Sequence, residues 1–217
     1  MKIVSYNINS CTQWKVDRLF EENADVYVVP EIAEGIKIPD DFEMKWIGKY
    51  PSKGLGMIWR KEQGIVPDWY NDKLSYAIPM IYNDVFILGF WPTKIGNETY
   101  TQIAKEILEY YLNYLKKYEQ CIVTGDFNLF HKKDNTNKAA DILKADELLK
   151  SCGLSSVYHT ITAQAMGAES QFTYYHQRHS DNPFFLDYTY SKLPVKKYSL
   201  EPWDSKMSDH VCQVIEI

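Results

Sequence analysis

No stretch of this sequence approaches the roughly 18 consecutive apolar residues of a membrane span, so none is expected. The segment Met1–Asn9 lacks the basic region and following apolar run of a secretory leader. The four cysteines (Cys11, Cys121, Cys152 and Cys212) lack close metal-ligand spacing. Free thiols in a cytoplasmic protein are the expectation that follows. Nor does basic charge dominate, since 24 Lys and Arg stand against 29 Asp and Glu, a net charge of −5. An extended, sequence-independent duplex binder normally presents a basic face, so that class is disfavoured. A nuclease is not excluded, because metal-holding carboxylates add negative charge locally. No repeat, low-complexity run or linker divides the 217 residues, which read as one domain, expected to be a monomer.

Aromatic residues are what the chain has in quantity, with 17 Tyr, either filling a core or lining a groove. Lys2–Ile8 reads as a strand, and Thr12 is placed to cap a helix through Glu22. Asp25–Val29 is a second strand, stopped by Pro30. Segments 42–48, 55–60, 76–81 and 85–91 alternate strand-forming residues with turn formers. Glu98–Tyr118 has Ile103, Ile107, Tyr110, Tyr111, Tyr114 and Tyr118 at helical spacing. Gln120–Thr124 is a strand, and Asn137–Ser151 a helix ended by Gly153 in the left-handed conformation. Asp134–Lys138 is the most loop-like stretch. Strands are expected near 155–158, 171–175, 184–191, 195–199 and 210–217. The pattern predicts two packed, mostly antiparallel sheets flanked by helices, a four-layer α-β-β-α sandwich.

Chemistry is written at the strand ends. Asn7 and Asn9 interrupt the first strand, Glu31 follows the second, and Gly125-Asp126-Phe127-Asn128 ends another. Asp187 lies within Leu186–Tyr190, and Asp209-His210 opens the last strand. Hard oxygen donors of this kind suit Mg²⁺ or Mn²⁺ rather than Zn²⁺. An Asp-His pair with a second, distant Asp can orient and charge an imidazole. Taken singly, a strand-end Glu is usually a solvated turn residue; the order of the whole set is what carries weight.

That order resembles the endonuclease/exonuclease/phosphatase superfamily. The resemblance runs through Met1–Asn9, Val29-Pro-Glu31, Gly54-Leu-Gly-Met57, Gly125–Asn128, Leu186-Asp-Tyr188 and Ser208-Asp-His210. It implies that Asn7 and Glu31 hold Mg²⁺ or Mn²⁺ with Asp209 close by. It also implies that Asp126, anchored by Asn128, positions or deprotonates the attacking water. His210, oriented by Asp187, would contact the phosphate or act as base, and which of the two takes the proton stays open. The implied reaction is in-line attack of water on a phosphoester of nucleic acid or a nucleotide. A phosphatase or lipid phosphodiesterase acting on a small phosphorylated substrate is the alternative, followed by a catalytically weakened binding protein. The acidic net charge leans toward small or single-stranded substrates.

One position departs from the family pattern. Where members carry a Tyr or His aimed at the phosphate, this chain has Leu88-Gly-Phe-Trp-Pro92, so Phe90 or Trp91 is expected to line the cleft. Asn9, His131 and His159 are further candidates for substrate contact. His159, His176 and His179 also have a plainer reading, as surface or internally satisfied histidines.

Overall fold

The computed structural model describes residues 1–74, 76–94, 96–131 and 140–217. Two six-stranded sheets form its centre. In the first, β1 (Lys2–Ser5), β2 (Val26–Ile32), β3 (Phe42–Tyr50), β4 (Lys53–Arg60), β13 (Lys197–Leu200) and β14 (Gln213–Glu216) lie in the order β13-β14-β1-β2-β4-β3. The second contains β5 (Gly64–Ile65), β6 (Ala77–Tyr82), β7 (Val85–Phe90), β8 (Cys121–Asp126), β9 (Ser155–Ser156) and β12 (Asp187–Ser191), in the order β5-β6-β7-β8-β12-β9. A short ribbon pairs β10 (Tyr174–Tyr175) with β11 (Pro183–Phe184). Pairing is antiparallel except for β1 with β2 and β7 with β8.

Strand alternation sorts the core into three layers. Val26, Val28 and Met57 of the first sheet meet Ile78, Met80, Ile87 and Ile122 of the second. Their neighbours Tyr27, Val29 and Ile58 face the other way, onto Val16 and Leu19 of α1 (Gln13–Phe20). On the far side, Phe86, Leu88 and Phe90 pack on Ile103, Ile107 and Tyr111 of α2 (Tyr100–Lys117), with Ala145 and Leu149 of α3 (Leu143–Ser151) beside them. The result is the expected helix-sheet-sheet-helix sandwich.

Some boundaries differ from expectation. Thr12 is extended but makes no side-chain capping bond, whereas Thr99 caps α2 in a reciprocal capping box with Gln102. Tyr110 turns out to solvent, off the buried stripe of its helix. The stretch 155–158 is strand only to Ser156; Val157–Thr162 forms a helix, α4, which ends at Ala163 with φ 56°. Its burial of Val157 and Tyr158 is a tertiary effect that outweighs local strand preference. The strand expected at 171–175 shortens to β10, and a break at 185–186 divides the one expected at 184–191. Gly153 does end α3, at φ 85°. The loop reading of Asp134–Lys138 and the helix start at Asn137 lie outside the described residues. Among those described, no helix is long and apolar enough to cross a membrane, and all four cysteines are free thiols.

Candidate active site

Topology gathers the strand-end residues. Strands β1 and β2 run parallel, so Asn7 and Glu31 emerge at the same end of the first sheet. Antiparallel pairing of β8 with β12 sets Asp126 directly beside Asp187. The loop entering β14 brings Asp209 and His210 to the same edge, tied to it by the Ser208 hydroxyl, which donates to the Asn7 carbonyl at 2.6 Å. The same hydroxyl oxygen accepts the His210 backbone N–H at 3.0 Å.

Local backbone devices aim the side chains. Glu31 sits at φ 64°, where the register of β2 against β4 shifts between Pro30 and Ile32. A non-glycine residue held there costs about 1–3 kcal/mol, a strain found mostly where a side chain must be redirected. Gly125 is required by close approach: an added Cβ would lie 1.9 Å from the Phe90 carbonyl oxygen. Asn128, at φ 52°, folds back so that its N–H donates to Asp126 Oδ1 at 2.9 Å and its amide donates to the Pro92 carbonyl at 3.0 Å.

The chain Asp187–His210–Asp126 forms the buried centre. Asp187 Oδ2 accepts from His210 Nδ1 at 2.9 Å, and His210 Nε2 faces Asp126 Oδ2 at 3.9 Å. Burial lowers the imidazole pKa, but Asp187 and then Asp126 outweigh it and push it up to about 10. Burial pushes the Asp126 carboxyl up to about 7; His210 works against that shift, and Asp187 adds to it. Burial also raises Asp187, opposed by the imidazole beside it. Asn7 donates to Asp126 at 3.0 Å and to Glu31 at 3.4 Å, while its own carbonyl accepts the Asn9 N–H at 3.0 Å. Asn9 thus supports Asn7 through its backbone.

Glu31, Asp126, Asn128, Asp209 and His210 line one open cleft of about 740 Å³. The donor set fits a divalent cation. Four carboxylates converge with one imidazole, and Lys53, 3.0 Å from Glu31, is the single ion-pair partner of Glu31 among the described residues. Asp126 and Asp187 are buried and Glu31 and Asp209 half-buried, a concentration of carboxylates that suits a cation. Asp126, Asp187 and His210 also lie close enough together to hold a metal. Asp187 and the His210 Nδ1 already satisfy each other, however, which leaves Glu31 and Asp209 as the better ligands, with the Asn7 amide oxygen, engaged only by the Asn9 N–H, able to accept a further partner beside them.

Four expected substrate contacts lie outside the lining of this cleft. Phe90 is fully buried against Phe127, because it shares strand parity with Phe86 and Leu88 and so faces α2. Trp91 has the opposite parity and packs between the sheets, edge-on to Tyr76 at 5.0 Å, with Lys53 above its ring. His159 is internally satisfied by Ser156 at 2.7 Å and Glu169 at 3.0 Å. His131 pairs with Asp141 at 3.5 Å, one residue beyond the cleft wall at Phe130.

Tyr100, Tyr174, Phe130 and Phe184, none singled out from the sequence, complete the wall together with Leu186 and with His176, one of the histidines read there as surface or internally satisfied. The Tyr174 phenol pKa is pushed up to about 12 by burial and then by Asp209 and Asp126, and Tyr100 is raised by burial, Asp126 and Glu31. Thr173, fully buried, accepts the N–H groups of Leu186 at 2.8 Å and Asp187 at 2.9 Å. No sequence signal marks Tyr100: it falls inside the expected helix, but its place at the mouth of the cleft depends on how α2 docks.

Residues 4–210 match the family described as Endonuclease/Exonuclease/phosphatase. No curated protein matches the chain at the sequence level. Among solved structures, the chain is similar to the 3'-5' exonuclease NExo from Neisseria meningitidis, with a TM-score of 0.74 and 16% identity over 100% of this chain and 99% of that one. The endonuclease domain of TRAS1, a telomere-specific non-LTR retrotransposon, gives 0.69 at 11% identity, covering 100% and 97%. TDP2 of D. rerio, complexed with a single-strand DNA product, gives 0.63 at 15% identity, covering 99% and 97%. At these identities the likeness establishes the fold.

Proposed function

The chain belongs to the endonuclease/exonuclease/phosphatase family, and from that premise we propose that it is a divalent-metal-dependent hydrolase of phosphodiester bonds in nucleic acid or nucleotides. The observation that carries this reading is the buried Asp187–His210–Asp126 chain opening into the same cleft as Glu31 and Asp209.

Glu31, Asn7 and Asp209 would hold Mg²⁺ or Mn²⁺, which supplies neutralisation of charge developing on the phosphate oxygens. The protein's own groups divide the remaining work. His210 has Nδ1 engaged by Asp187 and lies between two carboxylates, so it stays protonated at neutral pH. Its Nε2–H therefore serves as a donor to a phosphate oxygen rather than as a base. Asp126 is left to take the proton of the attacking water, with Asn128 and Asn7 fixing its oxygens. Tyr100 and Tyr174 bring phenols to the cleft that Phe90 cannot supply.

An exonuclease and a protein complexed with a single-strand DNA product, both of the same fold, support nucleic acid as the substrate class, as does a cleft wall of aromatic rings able to stack on a base. The test is hydrolysis with Mg²⁺ or Mn²⁺ across single-stranded and duplex DNA, RNA, abasic DNA, dinucleotides and inositol phosphates. Turnover of the first classes, abolished by EDTA, is expected. Turnover confined to inositol phosphates, or full activity in EDTA, would refute the proposal.

A further inference from the structure

A second pocket of about 720 Å³ opens beside the cleft, and the mechanism does not use it. One wall is the tip of the β3–β4 hairpin, with Lys49, Tyr50 and Lys53; the other is the segment after β7, with Trp91 and Lys94. Among the described residues, its lining holds three lysines and no carboxylate, in a chain with a net charge of −5. Among the described residues, neither Lys49 nor Lys94 makes an ion pair. Each lysine instead lies over an aromatic ring: Lys49 over Tyr50 at 5.4 Å, Lys53 over Trp91 at 5.7 Å, and Lys94 over Tyr100 at 4.9 Å. Tyr50 is 61% exposed at the rim, with Lys49 over one face of its ring.

Two of these lysines are shared borders with the catalytic cleft. Lys53 reaches Glu31, and Lys94 covers Tyr100, both of which line that cleft. Lysine ammonium groups and aromatic rings therefore stand together at the border between this pocket and the proposed metal site. We propose that this pocket is a binding subsite for single-stranded nucleic acid, taking the strand that continues from the scissile phosphate. Lys49 and Lys94 contact its phosphates, and Tyr50 stacks on a base. A pocket with one accessible ring and two lysines, rather than an extended basic face, suits a flexible strand better than a duplex.

The inference deepens the hydrolase reading, and its test reads binding alone. Anisotropy of a short fluorescein-labelled single-stranded DNA is measured in EDTA, so no turnover occurs. Tyr50→Ala should weaken binding about tenfold by loss of one stacked base. Lys49→Ala with Lys94→Ala should weaken it and reduce the slope of log K against log salt by about 1.4, two contacts at about 0.7 each. Lys116→Ala with Lys117→Ala, at the far end of α2, is the charge control and should change neither. Retained thermal unfolding checks that each variant folds. An unchanged affinity and slope in the Lys49/Lys94 pair, an equal loss in the control pair, or a duplex that binds as tightly and loses as much would overturn the subsite. Those outcomes leave the hydrolase reading untouched, whereas pocket-dependent binding without cleavage of any substrate would support the subsite and remove the hydrolase reading.

Discussion

His210 is held at its Nδ1 by Asp187, and the imidazole faces Asp126 from its other nitrogen. Removing the Asp187 charge withdraws the largest influence that raises the imidazole pKa, so Asp187→Asn should lower it, as followed by NMR titration of the ring protons. Because orientation and charge are disturbed but the cleft wall is not, kcat should fall by roughly 10²-fold or more with KM nearly constant. An unshifted imidazole with wild-type turnover would make the pair structural. Phe90 tests the opposite case. Its ring lies in the core beside Phe127, so Phe90→Tyr buries a hydroxyl without a partner. The expected cost is about 1–3 kcal/mol in urea unfolding, with the rate per folded molecule unchanged. A faster enzyme of unaltered stability would return Phe90 to the cleft.

At the scale of the element, α2 matters for where it begins. Thr99 accepts the Gln102 N–H, and the Gln102 side chain accepts the Thr99 N–H in return. Tyr100 follows as the first helical residue and is held in the cleft by that first turn. Thr99→Ala should cost about 1 kcal/mol, read as a lower urea midpoint at constant m. Activity should fall with it, by less than for Tyr100→Phe, because fraying repositions the phenol without deleting it. A variant that loses stability but no activity would separate the cap from the site.

For the whole molecule, the carboxylate cluster is a repulsive load that the folded chain carries across the joint of its two sheets. A cation bound only by the folded state stabilises it by about 2.7 kcal/mol at 100 times its Kd. In a chain of this size that corresponds to a rise in Tm on the order of 5–10 °C. Differential scanning with and without Mg²⁺ measures it, and Glu31→Gln should remove most of the rise while leaving the Tm in EDTA at or slightly above that of the wild type. A Tm indifferent to Mg²⁺ and Mn²⁺ would speak against a metal at Glu31.

Alternation and order are properties of the chain itself, and they carry far. Val26–Val29 and Val85–Phe90 announce two-faced strands, α2 announces its apolar stripe, and the sequence order of Asn7, Glu31, Asp126, Asp187 and His210 announces one site. Those features survive folding because each is a local consequence of side-chain period or of a strand's end. What tertiary structure alone decided is which groups share a space. Phe90 and Trp91 are adjacent in sequence, yet strand parity sends one ring under α2 and the other between the sheets. Tyr100 and Lys53 lie 47 positions apart, and both reach the cleft only because the first turn of α2 and the β3–β4 hairpin dock at the same end of the sandwich. No local pattern encodes that meeting, since it depends on how two sheets and a helix pack after each has formed.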